Sequence, residues 1–93
     1  MRRKARTDAN HTEIVQAMRS CGWTVFDMSR AGNGFPDVLA ARRGIVKLVE
    51  IKDGAKSPSR RKLTKDEALV HAAMAAAGVP VVIVETIEQA TRL

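Results

Sequence analysis

The spacing of apolar positions divides the chain into alternating helical and extended segments. Ile14, Val15, Met18 and Cys21 recur at helical spacing, so a first helix is expected from about Asn10 to Cys21, with Gly22 as its stop. Trp23 to Met28 is rich in β-forming residues and predicts a short strand. Ser29 to Pro36 (SRAGNGFP) carries the glycine, asparagine and proline of a loop. From Asp37 to Ile51 (DVLAARRGIVKLVEI) two apolar runs are interrupted only at Arg42, Arg43 and Gly44, which predicts a hairpin with a tight connection. The length of its apolar runs implies burial on both faces.

Beyond a polar, basic loop, Asp53 to Lys62 (DGAKSPSRRK), Thr64 to Ala77 reads as a second helix ended by Gly78 and Pro80. Its stretch Ala68 to Ala77, with Leu69, Val70 and Met74, reads chiefly as a packing helix. Val81 to Val84 predicts another buried strand, and Thr86 and Gln89 have the capping-box spacing of a last short helix. The order is helix, three strands, helix, strand, short helix (α-β-β-β-α-β-(α)). A strand that follows a helical crossover lies parallel to a neighbour, so the expectation is an α/β domain with a mixed β-sheet flanked by helices.

Composition narrows the class. A chain of 93 residues builds one domain: residues 1–7 read as a loose basic arm and residues 8–93 as the domain. Hydrophobic residues at 45% and charged residues at 28% suit a globular rather than a disordered protein. The net charge of +6 favours an anionic partner. Basic residues cluster at Arg2, Arg3, Lys4 and Arg6, at Arg42 and Arg43, and at Lys56, Arg60, Arg61, Lys62 and Lys65, a distribution that suits nucleic acid better than a small metabolite. Cys21 is the single cysteine, which excludes an internal disulfide and a cysteine-rich zinc site, and His11 and His71 lack zinc-ligand spacing. His71 reads as a helix-surface or site-adjacent residue. No apolar run approaches the roughly 20 residues that span a bilayer. The basic N-terminus leads into Asp8, Asn10, His11 and Glu13 rather than a signal-peptide core, so an intracellular, cytoplasmic protein is expected.

Candidate chemistry concentrates in the hairpin. If Arg43 and Gly44 form a two-residue turn, Arg42 pairs with Ile45 and Asp37 falls opposite Glu50, with their Cβ atoms about 5 Å apart. Two carboxylates so close repel unless a proton or a cation lies between them, and a divalent ion with oxygen ligands, Mg²⁺ first, resolves the conflict. Lys52 projects to the same face as Glu50, while Ile51 points away and offers its backbone carbonyl as a ligand. Phosphodiester hydrolysis needs a nucleophile made from water and neutralisation of developing charge. A metal held by Asp37 and Glu50 would supply the first, and Lys52 would orient the water or stabilise the charge. The competing reading makes Asp37 a turn residue after Pro36, and Glu50 and Lys52 an ordinary ion pair at a solvated strand end.

Pro36-Asp37, a hydrophobic strand and then Glu50-Ile51-Lys52 resemble the PD-(D/E)xK nuclease superfamily. More narrowly, four features in order resemble a stand-alone, phage-type VRR-NUC domain: Gly34-Phe35-Pro36-Asp37, Glu50-Ile51-Lys52, Lys62-Leu63-Thr64 before a helix containing His71, and Gly78 to Val84. The resemblance implies a single-domain restriction-endonuclease-like core. It also implies a Mg²⁺-dependent DNA endonuclease in which Mn²⁺ substitutes, akin to Holliday junction resolvases that act as homodimers on branched DNA. By the same likeness Glu13 matches an additional acidic residue that helps with metal or water, although Asn10 and Glu13 also have capping-box spacing. Ser29 lies, by that likeness, in the loop beside the site. Many relatives carry glutamine where this chain has Glu67, which either adds charge near the metal or caps the helix with Thr64; capping is the preferred reading.

Lys56, Arg60 and Arg61 follow the catalytic strand by a few residues, where they would grip phosphates without reading sequence, and Arg30 and Asn33 in the glycine-containing loop are further DNA-contact candidates. A nonenzymatic nucleic-acid-binding domain, a general nickase and a restriction-type enzyme are the alternatives. A chain this short has no obvious additional sequence-reading module, which tilts the choice toward recognition of DNA structure.

Overall fold

The computed structural model describes residues 9–93. The basic arm expected over residues 1–7 lies outside them. Helix α1 (His11–Ser20) directs Ile14, Val15 and Met18 inward, as their spacing dictates, and Gly22 follows its end in a left-handed conformation. Strand β1 (Thr24–Asp27) starts one residue later than expected, because the Trp23 N–H is held by the Met18 carbonyl at the helix exit. Strands β2 (Val38–Arg42) and β3 (Ile45–Ile51) form the expected hairpin. At its turn Arg43 and Gly44 both have positive φ (53° and 78°), the primed geometry whose twist suits a two-residue connection.

The polar segment after β3 contains a single 3-10 turn, Pro58–Arg60, that the sequence pattern did not announce. Helix α2 (Lys65–Ala76) opens with a full capping box: Thr64 Oγ1 accepts from the Glu67 N–H, and the Glu67 carboxylate accepts from the Thr64 N–H. Strand β4 (Val82–Val84) and helix α3 (Ile87–Thr91) complete the chain. Thr86 caps α3 through the Gln89 N–H, while Gln89 Oε1 accepts from the Glu85 N–H, one residue earlier than a standard box.

The sheet order is β1-β2-β3-β4, antiparallel through β3, with β4 parallel to β3 after the α2 crossover. The element order and the parallel last strand are those expected. Side chains alternate across the sheet. One face carries Val25, Val38, Ala40, Val49, Ile51 and Val84 into a core with Ile14, Val15, Met18, Trp23 and Ala90 from α1, its exit and α3. Each large side chain here contributes roughly 1.5–3 kcal/mol. Arg42 fastens the far end of this layer: its guanidinium lies 4.2 Å from the Trp23 ring and donates to the carbonyls of Cys21 and Leu93.

The opposite face departs from expectation. Phe26, Val46 and Ile83 are exposed there, so the hairpin is buried on both faces only toward its Leu48 to Ile51 end. Nor is α2 a packing helix in the usual sense, since none of its residues is buried and Leu69 is 61% exposed. Alanine supplies helix propensity without requiring burial, and that ambiguity explains the misreading. No described helix is long and apolar enough to cross a membrane.

Candidate active site

The observed register pairs Arg42 with Ile45 and Val38 with Val49, and one step further brings Asp37 opposite Glu50, as the turn predicted. Asp37 lies just outside β2, with its carbonyl accepting from the Met28 N–H. Its Oδ2 accepts from the Ile51 N–H at 2.7 Å, which fixes the carboxylate across the end of the hairpin. Glu50 is 1% exposed, on the face away from the apolar core. Burial pushes its carboxyl up to about 9, and the Asp37 carboxyl beside it adds to the shift. A carboxyl in that position holds a proton until a cation or a positive side chain compensates its charge.

Lys52 lies on the same face as Glu50, one alternation along the chain. Its ammonium meets Glu67 Oε1 at 2.7 Å. His71, one helical turn beyond Glu67, has Nε2 3.1 Å from Glu50 Oε1. Burial opposes ionisation of Glu67, but hydrogen bonds from Lys52 and Thr64 outweigh it and hold the carboxyl below the usual range. Burial lowers His71. Helix α2 therefore contributes two groups that sequence reading left at the margin: Glu67 caps its helix and also pairs with Lys52, and His71 sits on the acidic pair itself. The i, i+4 spacing of Glu67 and His71, which puts both on one helix face, was the available signal.

The remaining candidates make other contacts or are exposed. Glu13 is exposed on α1, in the layer on the other side of the sheet, and no hydrogen bond or ion pair joins it to Asp37 or Glu50 among the described residues. Its capping box with Asn10 is also absent; the Asn10 amide instead donates to the carbonyls of Lys52 and Glu85, both at 3.1 Å. Ser29 donates its N–H and hydroxyl to Asp27 Oδ1, and Asp27 Oδ2 lies 3.5 Å from His11 Nε2. Arg30, Asn33, Lys56 and Arg60 are exposed. Arg61 is committed to the fold, donating to the Lys56 carbonyl and to Glu85 Oε2.

No group of three or more His, Cys, Asp or Glu side chains disposed to hold a metal occurs among the described residues. The donor set is narrower: two facing carboxylates, with the Ile51 carbonyl beside them. Within a strand the N–H and C=O of one residue point to the same side, and the Ile51 N–H points toward the antiparallel β2 side, at Asp37. Such hard oxygen donors fit a small cation like Mg²⁺, which keeps several waters and takes only one or two carboxylates from a protein.

A mixed four-stranded sheet flanked by helices is a VRR-NUC-type fold, and here an acidic pair lies at the open end of its hairpin. A solved structure titled "VRR_NUC domain" matches with a TM-score of 0.67 over 89% of this chain and 87% of that chain, at 24% identity. The family model for archaeal Holliday junction resolvases matches residues 2–93, so the chain belongs to that family of nucleases. No curated protein matches it.

Proposed function

We propose that the protein is a Mg²⁺-dependent DNA endonuclease, with Mn²⁺ able to substitute, that acts as a homodimer on branched DNA such as four-way junctions. The observation that carries this reading is the buried Glu50 carboxyl facing Asp37, an arrangement that calls for a cation. Asp37, Glu50 and the Ile51 carbonyl would hold the metal, which when bound supplies an activated water and polarises the scissile phosphate.

The chain's own groups do the rest. Asp37 is held in place by the Ile51 N–H. Lys52 brings a positive charge to the same face, where it orients the attacking water and offsets charge developing on the phosphate. Lys56, Arg60 and Arg61 with Arg30, Asn33 and Ser29 would hold the flanking backbone; the first three belong to the loop that follows β3 directly. Arg61 does so while bound to Glu85. Glu13 is the acidic residue this reading needs least, since the pair already accounts for the ion.

One chain carries one candidate active site, so symmetric cutting of two strands suits a two-fold dimer. The exposed Phe26, Val46 and Ile83 on the α2 side of the sheet are apolar surface that a second subunit would cover. Cleavage of linear, flapped and four-way DNA with and without Mg²⁺, comparing the parent with Asp37→Ala, tests the reading. Mg²⁺-dependent, paired cuts on the junction are expected, with Asp37→Ala slower on the order of 10⁴-fold. Junction binding by both proteins with cleavage by neither would assign a nonenzymatic DNA-binding domain instead.

A further inference from the structure

Helix α2 is attached to the sheet by polar side chains that end on the site. It buries no residue of its own, and Leu69 is exposed while Val70 and Met74 are only half-buried. Glu67 and His71, one turn apart, reach Lys52 Nζ at 2.7 Å and Glu50 Oε1 at 3.1 Å. A third attachment is backbone to backbone. A Cβ at Gly34 would lie 2.4 Å from the Asp66 carbonyl group, so only glycine lets the loop that leads into Asp37 run against the first turn of α2. The same helix thus meets the segments that carry Asp37, Glu50 and Lys52.

A strand fixes the Cα of a lysine, not its ammonium. Four rotatable bonds separate the two, and the charge has no defined position until a partner holds it. Glu67 is a well-fixed partner, because its Oε1 is already engaged by the Thr64 N–H at 2.9 Å. A glutamate carboxyl is likewise free to turn until an oxygen is engaged, and His71 engages Glu50 Oε1. Docking alone would be served better by apolar contacts, which α2 largely lacks.

We propose that Glu67 and His71 are positioning residues: from α2 they hold the Lys52 ammonium and the Glu50 carboxyl, so the helix and the sheet together set where these groups point. This rests on reading Glu50 and Lys52 as catalytic. Glutamine at either position keeps a hydrogen-bonding group of similar reach, alanine removes it, and Thr64→Ala removes the helix cap while leaving Glu67 in place.

The test measures junction cleavage, metal-free junction binding and hydrogen exchange of the metal-free protein. Glu67→Ala and His71→Ala should each lose roughly 10- to 100-fold in kcat with DNA affinity unchanged, whereas Glu67→Gln, His71→Gln and Thr64→Ala stay within about threefold of the parent. In the double alanine variant, amides of α2 should lose protection while those of β2 and β3 keep theirs, which excludes general unfolding. Parental kcat in both alanine variants overturns the proposal. So does a loss in Thr64→Ala as large as that in Glu67→Ala, since capping alone would then explain Glu67. A parent that cleaves nothing rejects the nuclease reading, and exchange decides the positioning role: unchanged α2 protection in the double variant overturns it.

Discussion

Helices α1 and α2 lie on opposite faces of one small sheet and are held there by different physics. α1 drives Ile14, Val15 and Met18 into an apolar core shared with α3, where contacts are non-directional and add up by area. α2 buries no residue fully and is fixed through Lys52, Glu50 and the close approach at Gly34. The first attachment supplies stability and is indifferent to the chemistry. The second is directional, and its contacts end on the groups that would react. The sheet therefore has a load side and a working side, and residues on the two should respond differently to the same kind of change.

The largest stability effect should come from the α1 side. Ile14→Ala removes a fully buried side chain and should lower stability by about 2–5 kcal/mol in denaturant unfolding. Gly34→Ala places a Cβ against the Asp66 carbonyl and strains a residue at φ +81°; a loss of about 1–3 kcal/mol is expected, together with slower cleavage. Equal cleavage rates in that variant would separate the loop from the working side.

Next comes pH. Glu50 is raised from 4.5 to about 9 in the folded protein, so its contribution to stability is complete below 4.5 and lost as pH rises through 9. Asp27, Glu67 and His71 are lowered, so what they contribute is lost toward acid instead. Thermal melts of the metal-free protein should thus show the midpoint falling from neutral pH toward 9, each kcal/mol reading as about 4–8 °C. Glu50→Gln should flatten that limb, and Mg²⁺ should raise the midpoint most at its alkaline end. The smallest effect should be Leu69→Ala, within about 0.5 kcal/mol, despite the size of the residue removed. A loss comparable to that of Ile14→Ala would mean α2 is held by apolar packing after all.

The same division explains what could be read from the sequence. α1 and the hairpin were legible because burial imposes period and because Arg43-Gly44 admits few turns; the facing of Asp37 and Glu50 followed by counting. The open face was not. Val46 and Ile83 look like core residues whichever way they point, and the alanines of α2 give the same pattern exposed or packed. Asn10 misled for a related reason: the side chain that caps a helix also bridges carbonyls, and only the arrival of Lys52 and Glu85 decides between them. The Glu67–Lys52 pair was hidden because a capping box accounts for Glu67 without any tertiary partner.

That Asn10 bridge joins positions 42 and 75 residues apart in the chain. The entropy of closing such long loops must be met before the hydrogen bonds return anything, so this junction belongs among the late events of folding. Lys52 also receives its backbone partner, the Val84 carbonyl, only when the last strand is laid against β3. The hairpin with its acidic pair can form early and locally, but the lysine's place waits for the far end of the chain. A polypeptide still emerging during synthesis would carry the carboxylates without their completed surroundings, so the proposed DNA-cutting centre would assemble only as the whole domain closes.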